Sequence, residues 1–288
     1  MKDLLTPKQV ARCIGVSEAS LKRWCDKGTV PSFRTAGGHR RLPLNGVMQF
    51  LRQTGYPIVR PEILGLPATT GRGKETIERA RSQMRSALET GDEPQVARMV
   101  FDLYLARHAA SDICDQVIAP AFLDIGARWQ HGEIEVYEER RGCEVCMRVL
   151  YQLRRLLPSL SDSAPQAIGG TLESDPYTIP TLMVEIALRE AGWRADSYGI
   201  GLPFPTLCAA IRAVRPRLFW LSVSTIASTP DFLPAYSKLY DTAVECGVPV
   251  VVGGRALTEE IRRAIQYSAH GDTLRHLISF AQTMNHRA

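Results

Sequence analysis

Apolar positions at the start of the chain fall in short helical stripes, each introduced by a capping residue or cut by glycine. Thr6-Pro7 reads as an N-cap followed by proline at the first helical position, and Val10, Ala11 and Ile14 then supply one apolar face. Gly15 stops that helix. Val16 leads into Ser17, a second N-cap, after which Leu21, Trp24 and Cys25 form the next stripe and Glu18, Ala19, Ser20, Lys22 and Arg23 stay outside. Two helices joined by so tight a turn predict a helix-turn-helix. Further on, Val30–Thr35 and Arg40–Leu42 are short β-type runs around Ala36-Gly37-Gly38-His39. This is the pattern of a hairpin whose tip carries His39, Arg40 and Arg41. A last short helix, about Asn45 to Gln53, adds Val47, Phe50 and Leu51 to the same small core.

Residues 56–73 change character. Pro57, Pro61, Pro67, Gly65, Gly71 and Gly73 give them linker composition. From residue 74 to 160 the period is helical: Val96, Met99, Val100 and Leu103 form one stripe, Ile113, Val117, Ala121 and Ile125 a second, Val145, Val149, Leu153 and Leu156 a third. Turns at Gly91-Asp92 and Ala109–Ser111 divide them into a four-helix-type bundle. From 165 to 288 strand-like runs (167–172, 194–198, 218–222, 248–252) alternate with helical ones, and glycine or proline stands at nearly every junction. The predicted fold is therefore multidomain α and α/β. A winged helix-turn-helix (1–55) and a linker (56–73) precede a helical bundle (74–160) and a Rossmann-like, doubly wound parallel sheet (165–288). Neither GxGxxG nor a P-loop lysine pattern opens that sheet, which speaks against a dinucleotide or nucleoside triphosphate site.

Composition adds limits. With 45% apolar and 23% charged residues in 288, the chain is an ordinary globular one rather than disordered, collagen-like or coiled-coil. No apolar run approaches a membrane span, and Met1-Lys2-Asp3-Leu4-Leu5 lacks a signal peptide's apolar core. Seven scattered cysteines suit a reducing compartment, so the expectation is a cytoplasmic protein without membrane partners. The net charge of +5 is unevenly placed: residues 1–55 hold ten basic side chains against Asp3, Glu18 and Asp26, about +7, which leaves about −2 for the rest. A basic head on a near-neutral body points to a polyanion for the head alone.

The run of motifs in residues 4–55 makes that polyanion specific. Leu5-Thr6, Ser17, Leu21-Lys22-Arg23-Trp24, Gly28, Pro31 and Arg34-Thr35-Ala36-Gly37-Gly38-His39-Arg40-Arg41 resemble the DNA-binding domain of MerR-type transcription regulators. The resemblance implies binding of double-stranded DNA through Ser17, Ser20, Lys22, Arg23, Arg34, Thr35, Gly37, Gly38, His39, Arg40 and Arg41. The second helix would lie in the major groove and the wing against phosphates or the minor groove. His39 reads as a hydrogen-bonding wing residue, not a metal ligand.

Two further resemblances concern the body. Ile125 to Arg140, with Trp129 and Glu139, resembles the helical cap beside cobalamin-binding domains. In light-sensing members a tryptophan covers the cofactor and a Glu-His pair follows, but Arg140 stands at the histidine position and His131 does not match it. Trp129 reads equally well as bundle core. Residues 165–285 resemble the cobalamin-binding Rossmann-like domain. Its Asp-x-His-x-x-Gly is here Asp175-Pro176-Tyr177-Thr178-Ile179-Pro180, its Ser-x-Leu is Ser222-Val223-Ser224, and its Gly-Gly is Gly253-Gly254. Imidazole is a good cobalt ligand, whereas a phenol must lose a proton near pH ~10 to bind well. Trp129, His131, Glu139, Arg140, Asp175, Tyr177, Ser222, Ser224, Gly253 and Gly254 are thus candidate cleft residues. The cofactor is left open, with cobalamin (adenosylcobalamin) bound through histidine disfavoured. The single Cys143-Glu144-Val145-Cys146 pair lacks the further ligands of a zinc site. The expectation is a DNA-binding regulator with no catalytic residues and no metal site. The resemblance to light-responsive repressors of carotenoid genes implies a homo-oligomer on paired half-sites. The alternatives are an adenosylcobalamin-dependent, light-responsive repressor and a corrinoid enzyme or methyl-carrier protein.

Overall fold

The structure, a computed structural model, describes residues 3–71, 73 and 75–285. They form two compact units, Met1–Ser159 and Leu160–Ala288.

The first unit opens with β1 (Leu4–Leu5), α1 (Pro7–Ile14), α2 (Glu18–Asp26), β2 (Phe33–Arg34), β3 (Arg40–Pro43) and α3 (Leu44–Thr54). Local chemistry sets these boundaries. Thr6 Oγ1 accepts from the Gln9 amide at 3.2 Å while Gln9 Oε1 accepts from the Thr6 amide at 2.8 Å, a reciprocal cap for α1. Gly15 ends α1 at φ +72°, a conformation that costs a residue with a Cβ, and Ser17 caps α2. The strands pair antiparallel in the order β1-β3-β2. Val10, Leu21, Leu42, Val47 and Met48 make the fully buried centre of this head.

The sequence reading of 56–73 as a linker needs correction. The amides of Val59 and Arg60 donate to the Cys13 carbonyl at 2.7 and 3.0 Å, Pro61–Leu64 form a 3-10 turn, and Leu64 and Leu66 are buried. The Gly71 amide donates to Asp102 Oδ1 at 2.7 Å. Proline and glycine here shape a packed strap, because its few apolar residues find a surface to cover.

The bundle comprises α4 (Ile77–Thr90), α5 (Glu93–Leu105), α6 (Ala110–Ile113), a π-helical turn (Cys114–Ile118), α7 (Ala119–Gln130) and α8 (Val136–Leu156). Every residue of the three predicted stripes is buried. Gly142 lets α8 approach α4, since a Cβ there would stand 3.2 Å from the Leu88 carbonyl oxygen. Helix α3 joins the head to this bundle through Asn45, Gln49 and Arg52, spaced to share one helical face. Asn45 Nδ2 donates to Ser159 Oγ at 2.8 Å and Gln49 Nε2 to the Tyr104 hydroxyl at 3.0 Å. Arg52 donates to the His108 carbonyl at 2.8 Å, with its guanidinium 4.1 Å from the centre of the Tyr104 ring.

The second unit runs β4 (Gln166–Thr171), α9 (Thr178–Glu190), β5 (Arg194–Ser197), α10 (Phe204–Val214), β6 (Leu218–Ser222), α11 (Thr229–Glu245), β7 (Val250–Gly253), α12 (Glu259–Ala264), β8 (Ala269–Gly271) and α13 (Leu274–Asn285). The five strands are parallel in the order β5-β4-β6-β7-β8, the doubly wound arrangement. Strand alternation sends Phe219 and Leu221 into the core with Val250, Val252, Ile211 and Leu239, and Trp220 to the opposite face. The Trp220 indole donates to Thr181 Oγ1 at 3.0 Å and lies across Gly169, the residue beside it on β4. A Cβ at Gly169 would stand 2.2 Å from Trp220 Cδ2. Among the described residues no helix is long and apolar enough to cross a membrane.

That overlap generates a stability prediction. Gly169→Ala is expected to destabilise the second unit by about 1–3 kcal/mol or more, because Trp220 has no room to yield without losing its hydrogen bond. Denaturant unfolding followed by tryptophan fluorescence checks it; an unchanged midpoint would contradict the packing described.

Candidate nucleic-acid interface and candidate ligand cleft

A polar groove of about 440 Å³ runs between α2 and the β2–β3 wing, with Lys22, Arg34, His39, Arg40 and Arg41 among its lining residues. Capping geometry prepares its helical wall. Ser17 Oγ accepts from the Ser20 amide at 3.1 Å, the two hydroxyl groups lie 2.9 Å apart, and Arg23 Nη2 donates to Ser20 Oγ at 3.2 Å. Lys22 pairs with Glu18 one turn back at 2.8 Å. All of these side chains are partly or fully open to solvent.

On the wing side, the Thr35 amide donates to the His39 carbonyl at 2.9 Å and the Gly38 amide to the Thr35 carbonyl at 2.8 Å. Gly38 holds φ +75°, and Arg34 Nη1 braces the turn by donating to the Gly38 carbonyl at 3.2 Å. The sequence reading put Arg40 and Arg41 at the tip; both instead belong to β3, and the tip consists of Ala36, Gly37, Gly38 and His39. The turn closes at His39, so the ladder starts one residue later. Arg40 is then turned onto α2. It donates to the Lys22 carbonyl at 2.9 Å and to Asp26 Oδ1, leaving 14% of its side chain exposed. Asp26, one of only three acids in the head, had no sequence signal linking it to Arg40.

The candidate cleft residues fall in both units. In the first, Trp129 ends α7, and with 46% of it exposed it is not bundle core. His131 is exposed, and its Nδ1 lies 2.7 Å from the Ala127 carbonyl, which can only accept, so that nitrogen carries the proton. Glu139 is half-buried and Arg140 exposed in the first turns of α8. Cys143 and Cys146 lie further along the same helix. Burial pushes the Cys143 thiol up to about 11 and raises that of Cys146 as well, so neither is a ready thiolate. No group of three or more His, Cys, Asp or Glu suited to a metal occurs among the described residues.

In the second unit the residues gather beyond the carboxyl ends of β4, β6 and β7, where this topology places ligands. Asp175 is buried and spends both oxygens on backbone: Oδ1 accepts from the Tyr177 amide at 3.1 Å, Oδ2 from the amides of Ser224 at 2.5 Å and Thr225 at 3.3 Å. Its desolvation outweighs these donors and holds the carboxyl above the usual range. The carboxyl thus ties the loop after β4 to the loop after β6, across the point where the strand order reverses. Gly254, at φ +121°, allows the loop after β7 to join them, since a Cβ there would stand 2.2 Å from the Val223 carbonyl oxygen. Arg255 donates to the Ser224 carbonyl at 3.3 Å and sets its guanidinium 5.1 Å from the centre of the Tyr177 ring. Arg255 and Thr225 were missed in the sequence, although Arg255 directly follows the Gly253-Gly254 signal. Ser222 is buried at the end of β6, beside Gly253 in the ladder.

Donor chemistry decides how well this end suits a corrinoid. Tyr177 offers a phenol beside the Arg255 guanidinium, and Asp175 is consumed by backbone amides. The described histidines of this unit, His270 and His276, lie on β8 and α13. Among the described residues, none at this end of the sheet is a histidine, so these side chains do not fit a histidine-ligated corrinoid.

Comparison with known proteins defines the class first. Residues 4–55 match the family described as a helix-turn-helix domain, and residues 80–154 match the B12 binding domain family. The chain thus joins a helix-turn-helix head to a helical region of B12-binding type. Particular relatives follow the same plan. The chain is 28% identical to the HTH-type transcriptional repressor CarH of Myxococcus xanthus over 85% of this chain and 87% of that one. It is 24% identical to the HTH-type transcriptional repressor CarA of the same organism, over 91% and 90%. The structure of the Methanosarcina barkeri monomethylamine corrinoid protein superposes with a TM-score of 0.59 at 14% identity, over 72% of this chain and 99% of that one, which shows a shared fold.

The Asp175 tie yields a prediction of its own. Asp175→Asn replaces one acceptor by an amide that faces backbone donors, so a loss of about 1–3 kcal/mol is expected. Thermal unfolding measures it. A variant as stable as the parent would mean that the loops after β4 and β6 are held together without this carboxylate.

Proposed function

We propose that the protein is a sequence-specific transcription regulator that binds double-stranded DNA through residues 1–55 and acts as a homo-oligomer on paired half-sites in the cytoplasm. The observation that carries this reading is the polar groove between α2 and the wing, lined by Lys22, Arg34 and Arg41 beside the capped helix that also carries Arg23. The N-terminal half of α2 suits the major groove, with Ser20 and Arg23 toward base edges. The Gly37-Gly38-His39 tip brings backbone close to phosphate or minor groove. The bundle and the α/β unit serve in this reading as the sensing and oligomerisation region. Both named full-length relatives being repressors supports a regulator over an enzyme.

The groove cations Lys22, Arg34 and Arg41, set against phosphate, imply a salt-dependent association, with affinity falling on the order of 40-fold between about 50 and 200 mM salt. Gel shift or fluorescence anisotropy on promoter and random duplexes measures this. A missing or salt-insensitive shift on both would remove the reading.

A second reading, a cobalamin-loaded and light-responsive repressor, is favoured by the B12-type match over 80–154 and by the exposed indole of Trp129. Tyr177 and Arg140 weigh against its histidine-ligated form. The expected result for protein mixed with adenosylcobalamin is no stable histidine-ligated absorption spectrum and no light-dependent change in oligomer size. Stoichiometric cobalamin on gel filtration would reverse the order of the two readings.

A further inference from the structure

We infer that Arg40 is a positioning residue that sets the angle between the wing and helix α2, while its neighbour Arg41 remains a DNA-contacting cation; the inference rests on the DNA-binding reading above. Strand parity separates the pair. In the β2–β3 ladder Arg34 stands opposite Arg40 and Phe33 opposite Arg41. Arg40 therefore shares a face with Leu42, which is fully buried, whereas Arg41 shares one with Phe33, which is 44% exposed. The inward face meets the last turns of α2. There the guanidinium forks, one nitrogen donating to the Lys22 carbonyl at 2.9 Å and the other to Asp26. The helix C-terminus adds its own negative end to that of Asp26, so the cation is matched within the head. Arg41 has only the neighbouring Arg40 carbonyl, at 3.1 Å, among the hydrogen bonds described for its guanidinium.

Arg40 thus links the two DNA-facing elements: the wing cannot swing away from α2 without breaking a two-point guanidinium contact. Lysine, a point charge without a fork, does not replace it. A phosphate contact behaves differently, since lysine retains much of it and removing a nearby acid strengthens it.

The full chain first selects a preferred duplex from random DNA. Wild type, Arg40→Ala, Arg40→Lys, Arg41→Ala, Asp26→Ala and the Arg40→Ala/Asp26→Ala double variant are then titrated on that duplex and on a random one at several salt concentrations. Circular dichroism melts confirm that each remains folded. Arg40→Ala, Arg40→Lys and Asp26→Ala are expected each to lose about 10-fold on the selected duplex with the salt slope unchanged. The double variant should lose no more than either single one. Arg41→Ala is expected to weaken both duplexes alike and to lower the salt slope by about 1. The inference is overturned if Arg40→Ala lowers the slope in the same way, if Arg40→Lys binds as wild type does, or if Asp26→Ala leaves binding unchanged or tightens it. A wild type that selects and binds no duplex removes the DNA-binding reading itself, a different outcome from any of these.

Discussion

Helix α3 turns Val47, Phe50 and Leu51 into the core of the head and Asn45, Gln49 and Arg52 toward the bundle, so one element of eleven residues connects the two. Its C-terminal carbonyls, which a helix leaves without internal partners, are taken up by the bundle: Arg107 donates to the carbonyl of Arg52 at 2.9 Å and to that of Gln53. Arg107 does so from a left-handed backbone conformation, φ +71°, just beyond the end of α5. An unfavourable conformation for a residue with a Cβ persists where its surroundings over-determine it, and here α3 and Tyr104 do so. The packed strap of residues 56–71 reinforces the connection through Cys13 and Asp102. The head is therefore seated on the bundle through these polar contacts and through buried Leu44, Leu64, Leu66, Phe101 and Leu156, not tethered by a free chain.

The α/β unit separates what its fold holds in place from what its side chains offer a ligand. The parallel sheet, the glycines that let loops cross and the aspartate after the first strand all remain. What differs is the group offered at the reversal of strand order. A phenol beside the Arg255 guanidinium stands at the position that the resembled motif gives to histidine. Asp175 has a structural occupation, bridging two loops, that does not depend on a histidine two residues on.

Much of this was legible in the chain and some was not, for physical reasons. Caps, glycine stops and apolar periods are local, so the boundaries of α1 and α2, the three bundle stripes and four of the five parallel strands could be read directly. The fifth strand, β8, has three half-buried residues and carries no such signal. Partnerships between distant segments were not legible. Residues 56–73 have the composition of a linker, and only the presence of Cys13 and Asp102 nearby makes them a strap. Asn45, Gln49 and Arg52 read as a solvated helical face until the bundle is placed against them. Trp129 was equally compatible with core and surface, since its neighbours repeat with helical period either way. Arg40 was within reach of deduction, because a buried Leu42 fixes the parity of its strand; the run of two arginines after a Gly-Gly turn invited the simpler reading that both face outward.

The charge of the head gains a different meaning from these contacts. Ten basic residues against three acidic ones suggested a broadly cationic surface. Arg40 is matched by Asp26 and a helix C-terminus, Lys22 is shared with Glu18, and Arg52 is spent on the bundle. Net charge therefore overstates the number of phosphates the head can neutralise, and it does so unevenly. The cations withdrawn from the surface are those that fix geometry: wing to helix through Arg40, head to bundle through Arg52. Arg23 on α2 and Arg34 and Arg41 on the wing keep contact with solvent. In a basic domain of this size the same residue type both builds the binding surface and forms it, and strand parity and helical phase decide which role each arginine takes.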